Sequence, residues 1–326
     1  MKKITLILFI ATLFSMASVF AQRGTTKSLN WDLNNGTLTI SGIGEMPDYE
    51  SPDDIPWYEY REYIHTIIIK TGVVNIGNWA FFNCFNLTSI SIPNSVTKIG
   101  NKVFFSCESL TSLNIPNTVT SIGEWAFMCC TSLTTIAIPN GVTSIKEHTF
   151  SGCISLVSIT IPNSITSIGE CAFNNCTSLT TISLPDGIIS IGECAFYECR
   201  NLISINLPNS IISIGRSAFA ECINLTSINL PNSIISIGNS AFVRCESLAA
   251  IVIPNSMTKI NDGTFFGCKS LVSITIPGSV ASIEFGAFSF CKSLTSITNL
   301  NPVPVDIDNS IFYDVSQSVC TLKSAN

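Results

Sequence analysis

Residues 162–184 read PNSITSIGECAFNNCTSLTTISL, and residues 185–207 read PDGIISIGECAFYECRNLISINL. Laid one under the other without a gap, the two lines share Pro, Ser-Ile-Gly-Glu-Cys-Ala-Phe, a second Cys, Leu and Ile at the same places. The step continues in both directions. Pro recurs every 23 residues from Pro93 to Pro277, Phe from Phe81 to Phe288, and Cys from Cys84 to Cys291. Ten such units cover residues 70–299. A fixed period of this length means a stack of like units, because no single unit of that size can bury its own apolar face.

Each part of the unit has a physical reading. Leu87, Ile90 and Ile92 form LxxIxI, a strand whose Ile90 and Ile92 alternate inward while Thr88, Ser89 and Ser91 face out. Pro93 stops the strand, having no N–H to give a ladder, and Asn94-Ser95 turn the chain. Val96 and Ile99 point a second short stretch inward before Gly100. Ala80-Phe81 and their equivalents read as a brief helical turn with the ring inside, and Cys three residues on fills the space beneath the next strand. The expected fold is therefore a β-rich repeat solenoid with some α/β character: ten 23-residue coils, a parallel strand sheet and short helical turns. Strands ~4.8 Å apart would give ten coils a length of roughly 48 Å.

The unit IPNSVTxIGxxAFxxCxSLTSIx resembles the bacterial BspA-like leucine-rich repeats almost letter for letter. The preceding LNWDLNNGTLTISGIGEMPDY, with Pro56-Trp57 after it, resembles the amino-terminal cap of that family. The resemblance implies a surface protein that binds host or microbial proteins, without naming a ligand. Lys146-Glu147-His148-Thr149 departs from the Gly-x-x-Ala of the pattern, and Asn261 and Glu284 replace the same glycine. Residues 300–326 resemble an incomplete closing unit.

Outside the array, MKKITLILFIATLFSMASVFAQ has the basic start, the apolar run and the small residues Val19 and Ala21 of a secretory signal peptide cut after Ala21. The expected organisation is a signal peptide over 1–21, an amino-terminal β cap over 22–69, the solenoid over 70–299 and the closing unit over 300–326. No membrane span is expected in the mature chain. Of 326 residues only 12% are charged and 46% are apolar, with net charge −6. Loss of Lys2 and Lys3 with the leader takes two positive charges away, leaving −8. An acidic chain is a poor counterion for phosphate, which argues against nucleic acid and anionic membranes as partners.

The cysteines of an exported chain raise the question of disulfides. Ten of the 14 fall at one inward repeat position and read as buried thiols. Cys171 and Cys194 differ, lying two residues before Phe, and are read as a candidate disulfide. That position is otherwise held by Trp79, Lys102, Trp125, His148, two Ser and two Gly, and is read as an exposed edge able to bind a ligand. With two His in the chain and no CxxC or HxxxH, neither a metal site nor a cofactor is expected. The acidic run Glu45, Asp48, Glu50, Asp53, Asp54, Glu59 and Glu62 fits no Ca²⁺ loop and reads as solvated.

The second candidate surface is the outward strand face. Positions one, two and four after each repeat Leu are Ser or Thr at twenty of thirty sites, Asn at three, apolar at seven and charged at none. Its centre is Thr180, Thr181 and Ser183, then Ile203, Ser204 and Asn206, then Thr226, Ser227 and Asn229. The expected function is an exported, non-enzymatic, adhesin-like array recognising an extracellular protein or glycan. Rival readings are a structural spacer or self-associating surface component and, behind it, an ice-binding surface.

Overall fold

A computed structural model describes residues 21–302, 309–315 and 321–324, the last stretch as backbone only. The leader expected over 1–21 lies outside the described residues, Ala21 excepted. The chain begins with an antiparallel meander of β1 (Ala21–Thr26), β2 (Leu29–Asn34) and β3 (Thr37–Gly42). Asn35-Gly36 joins β2 to β3 with both φ angles positive, at 47° and 76°, the two-residue turn that matches strand twist. Two 3₁₀ turns follow, Pro52–Asp54 and Tyr58–Tyr63. β3 then pairs in parallel with β4 (Thr66–Ile69), and β4 in parallel with Ser89–Ser91. The cap and the first coil thus share one hydrogen-bonded sheet.

From there two sets of short parallel strands repeat along the stack, each divided into several small sheets, with partners one period apart. The LxxIxI strands pair Ile182 with Ile205 and Ile205 with Ile228; the shorter VTxI strands pair Ile145 with Ile168, Ile191 and onward in turn. A last parallel strand, Thr321–Ser324, joins Ser296–Asn299. On the remaining side of each coil lies the Ala-Phe segment. Expected as a helical turn, it is a run of i→i+3 turns such as Cys84 N–H to Phe81 O and Leu87 N–H to Cys84 O. Helix does not form because alternate backbone N–H groups are given to the next coil: Trp79 to Asn101 O, Phe81 to Val103 O and Asn83 to Phe105 O. Positive φ at the first and last of these three, repeated in every coil, is what aims them along the stack.

The core is a column of rings. Ten Phe, each almost fully buried, stack on their copies at 5.3–5.8 Å. Trp57 extends the column at one end, 6.1 Å from Phe81, and Phe312 at the other, 5.5 Å from Phe288. Trp57 is fixed by its indole N–H, which donates to Ala80 O at 2.7 Å. Beside the rings runs the Cys column, and all thirteen described cysteines are free thiols. These thiols are more than apolar filler. From Cys107 to Cys291 each Sγ donates to the carbonyl of the Phe one coil back, at 3.1–3.3 Å. Alanine would fill the space without supplying that donor.

The repeat glycine also has a different role from free bending. Gly123 has no positive φ; a Cβ there would lie 2.4 Å from Asn101 N and the Gly100 carbonyl, so the residue allows close approach of successive coils. Two of the coils lacking this glycine carry Thr in place of Ala three residues on. Thr149 donates to Lys146 O at 2.8 Å and Thr264 to Asn261 O at 2.7 Å, each capping the turn that the larger residue disturbs.

Candidate functional site

Two surfaces marked by the sequence are brought together as continuous columns. On the strand face Thr180, Thr181, Ser183, Ile203, Asn206, Thr226, Ser227 and Asn229 are exposed and Ser204 is half-buried, while Ile182, Ile205 and Ile228 between them are buried. Many hydroxyls here are already used to lace the coils. Thr226 Oγ1 donates to Ile203 O at 3.2 Å, Thr134 to Thr111 O at 3.2 Å and Thr88 to His65 O at 3.0 Å. A hydroxyl so partnered loses less when a ligand covers it, so this face is less polar than its composition. Ile203 and Val252 add exposed apolar surface at 48% and 73%. A shallow depression lies beside them, lined by Ser204, Asn206, Ser227, Asn229 and Val252 among others.

The second column is the position two before Phe. It is not the exposed edge expected from the sequence: Trp79, Lys102, Trp125, His148 and Cys194 are half-buried and Cys171 is buried. All six have φ between 50° and 64°. Held in that conformation, each side chain packs against its column neighbour. Lys102 Nζ sits 4.1 Å from the Trp79 ring and 5.6 Å from that of Trp125, and Trp125 stacks on His148 at 4.0 Å. Cys171 and Cys194, the candidate disulfide pair, occupy the same position in adjacent coils, and both are free thiols. Burial pushes the Cys171 thiol up to about 12, with the neighbouring Cys194 adding to the effect.

The column also yields what motif reading missed. A ring nitrogen of His148, a carboxylate oxygen of Glu170 and Cys171 Sγ lie within 4.8 Å of one another. Sequence-local motifs cannot show this, because the three residues come from successive coils; comparing repeat columns would have placed His148 next to Cys171. The acidic run of the cap, in contrast, partly serves nearby backbone, its own and that of the first coil. Asp48 accepts from Asn78 N–H at 2.8 Å, and Asp54 accepts from both Ser51 N–H and Oγ–H, at 3.0 and 2.9 Å. Among the described residues no helix is long and apolar enough to cross a membrane.

A family model described as BspA type Leucine rich repeat region matches residues 57–180, 143–272 and 235–324. Comparison with curated proteins finds none that matches. Among solved structures, the chain is similar to a leucine rich cell surface protein from Faecalibacterium prausnitzii, with TM-score 0.57 and 28% identity over 94% of this chain and 95% of that one. A leucine-rich repeat protein from Bacteroides ovatus gives 0.51 at 22% identity, covering 94% and 98%. The pneumococcal vaccine antigen PcpA gives 0.57 at 17% identity, covering 94% of each chain. At these identities the last two show the fold alone.

Proposed function

The chain belongs to the BspA-type leucine-rich repeat family, and from that premise we propose that it is an exported surface array whose strand face binds an extracellular protein or glycan. The observation that carries this reading is the chemistry of that face: exposed and uncharged along the array, with hydroxyls partnered along the stack and apolar side chains between them. Covering such a face strips few strongly hydrated groups, so contact area converts into affinity with little desolvation loss. The similar cell surface protein of Faecalibacterium prausnitzii agrees with the location. The role is recognition rather than catalysis. In the array's one His column position, His148 faces Glu147 at 3.6 Å and makes no hydrogen bond to a hydroxyl nucleophile.

Of the two candidate surfaces, burial favours the strand face. Trp79 is packed on Phe82 at 4.6 Å and covered by Lys102, and Trp125 is covered by His148, so neither indole is free to act as an interface anchor. The test is a screen of the mature chain against arrayed extracellular proteins and glycans, followed by substitution. Arginine at Ile203 and Thr226 should each weaken the selected ligand by about 2 kcal/mol or more, roughly thirtyfold in Kd. Alanine at Trp79 and Trp125 should leave affinity within a few-fold. Affinity that survives both arginines in a folded protein refutes the assignment to this face.

A further inference from the structure

Three consecutive coils carry His148, Cys171 and Cys194 at one repeat position, and the preceding position carries Glu147, Glu170 and Glu193. A column of nitrogen and sulfur donors therefore runs beside a column of carboxylates. The backbone fixes the first column tightly: His148 N–H donates to Glu170 O, Cys171 N–H to Glu193 O and Cys194 N–H to Arg216 O, all at 2.8 Å. The stacked Trp125 ring holds the plane of the His148 imidazole. Glu170 is exposed, so its carboxylate can swing toward the other donors.

Two independent features of this patch point to a cation. The first is the imidazole. His148 Nδ1 is buried with no hydrogen-bond partner, and Nε2 lies 3.6 Å from Glu147, too far for a hydrogen bond. A ring with neither nitrogen hydrogen-bonded is unusual inside a stack where nearly every other buried polar group is paired. The second is charge. Glu124, Glu147, Glu170 and Glu193 repeat along the stack at about the coil spacing of ~4.8 Å, like charges side by side. Among the described residues Glu193 has Arg216 at 3.9 Å and Glu147 has only His148, while Glu124 and Glu170 have no ion pair.

We propose that His148, Cys171, Cys194 and Glu170 form a site for a divalent transition metal of the zinc class. Imidazole, carboxylate and Cys171 thiol already lie within 4.8 Å of one another, and Cys194 holds the same position as Cys171 in the next coil. Zn²⁺ takes four such N, O and S ligands in a tetrahedron at about 2.0–2.3 Å, a contraction that rotation of the exposed Glu170 and of the Cys194 side chain toward the other ligands would supply. Thiol and imidazole disfavour Ca²⁺ and Mg²⁺, which prefer oxygen. As the two metal–sulfur bonds form, the two thiol protons leave to solvent; no electrons are transferred. The bound ion would pin three coils together and neutralise part of the carboxylate column.

The test uses the purified chain, kept reduced with a phosphine, and Co²⁺ or Zn²⁺ alone as probe. One Co²⁺ per chain should bind with thiolate-to-metal charge-transfer absorption and the strong visible bands of a four-coordinate site, and Zn²⁺ should displace it. Cys171→Ser and Cys194→Ser should each remove charge-transfer intensity and weaken Zn²⁺ by at least ~10-fold, as should His148→Ser. Ser217 and Ser240 occupy the same position in the next two coils, so these variants should fold. Cys129→Ser, whose half-buried thiol lies outside the column, should change nothing. Wild-type protein without thiolate–cobalt absorption overturns the proposal. So does metal binding that survives both cysteine changes, or a Cys171–Cys194 disulfide that persists under the phosphine and leaves no metal bound.

Discussion

Replacing Phe173 by alanine removes a ring with no solvent exposure, held between Phe150 at 5.5 Å and Phe196 at 5.3 Å with interplanar angles of 12° and 7°. Loss of its burial costs about 3 kcal/mol. Each of the two lost stacking contacts adds about 0.5–1.5 kcal/mol. Collapse of the neighbours could recover part of this, but the backbone resists it. Phe150 N–H is tied to Ala172 O and Phe173 N–H to Ala195 O, both at 2.8 Å, so the coils cannot close over the gap without breaking the inter-coil ladder. The expected loss is therefore in the upper part of the usual range for Phe→Ala, about 4–5 kcal/mol. Guanidinium unfolding followed by circular dichroism measures it, and hydrogen exchange should place the new opening around residues 150–196, since coils contact only their neighbours. Phe266 is the control: half-buried, with a single tilted ring contact to Phe290 at 4.9 Å, it should cost about 1–2 kcal/mol when truncated. A Phe173→Ala loss under about 1.5 kcal/mol, or one equal to that of Phe266→Ala, would show that the ring column is not the principal source of cohesion.

Three further outcomes follow from other features. All ten ladder thiols, Cys84 to Cys291, are raised by burial above their ordinary value near 9. The unfolded chain then releases protons near pH 9 that the folded chain keeps, so stability is intact below that pH and falls above it by as much as ~1.4 kcal/mol per pH unit per thiol. Alkaline titration monitored by circular dichroism should show a narrow cooperative loss of structure above pH ~9, and a gradual change extending well beyond it would contradict a protonated ladder. Ser217→Gly removes a side chain held at φ 52°, as Gly263 and Gly286 already do at that position. Relief of about 1–2 kcal/mol of left-handed strain should outweigh about 0.5–1 kcal/mol of added chain entropy, and a lower melting temperature would argue against it. Secreted material should begin at Gln22, which shortens β1 only by its first pair, Ala21 with Asn34; recovery of an intact Met1 on amino-terminal sequencing would count against export by this leader.

The coil count, the inward Phe and Cys and the outward hydroxyl face were legible because a single period repeats them, each copy reinforcing the reading of the next. What escaped the sequence lies where composition is silent about geometry. The position holding Trp79, Lys102, His148 and Cys171 carries none of the usual glycine or asparagine that announces positive φ, and only Gly263 and Gly286 in the last coils hint at it. Without that conformation the position looks exposed; with it, the side chains pack along the stack. Trp57 and Phe312 stand 24 rather than 23 residues from their ring partners, so a strict period passes over both ends of the column. The thiol donors to Phe carbonyls span 26 residues and belong to no local motif.

The constant register has a consequence for how such a chain can change. Because Ile182 meets Ile205 as Ile205 meets Ile228, and each Phe meets a Phe, cutting one period out at any phase rejoins matching surfaces. Recombination between neighbouring copies would therefore lengthen or shorten the array by whole coils while both ends keep their closing contacts, with Trp57 on the first ring and Phe312 on the last. Reach would vary while the buried contacts between coils stayed the same. A deletion that removes Ile203 or Val252 would take exposed apolar surface from the strand face, and so would change more than length.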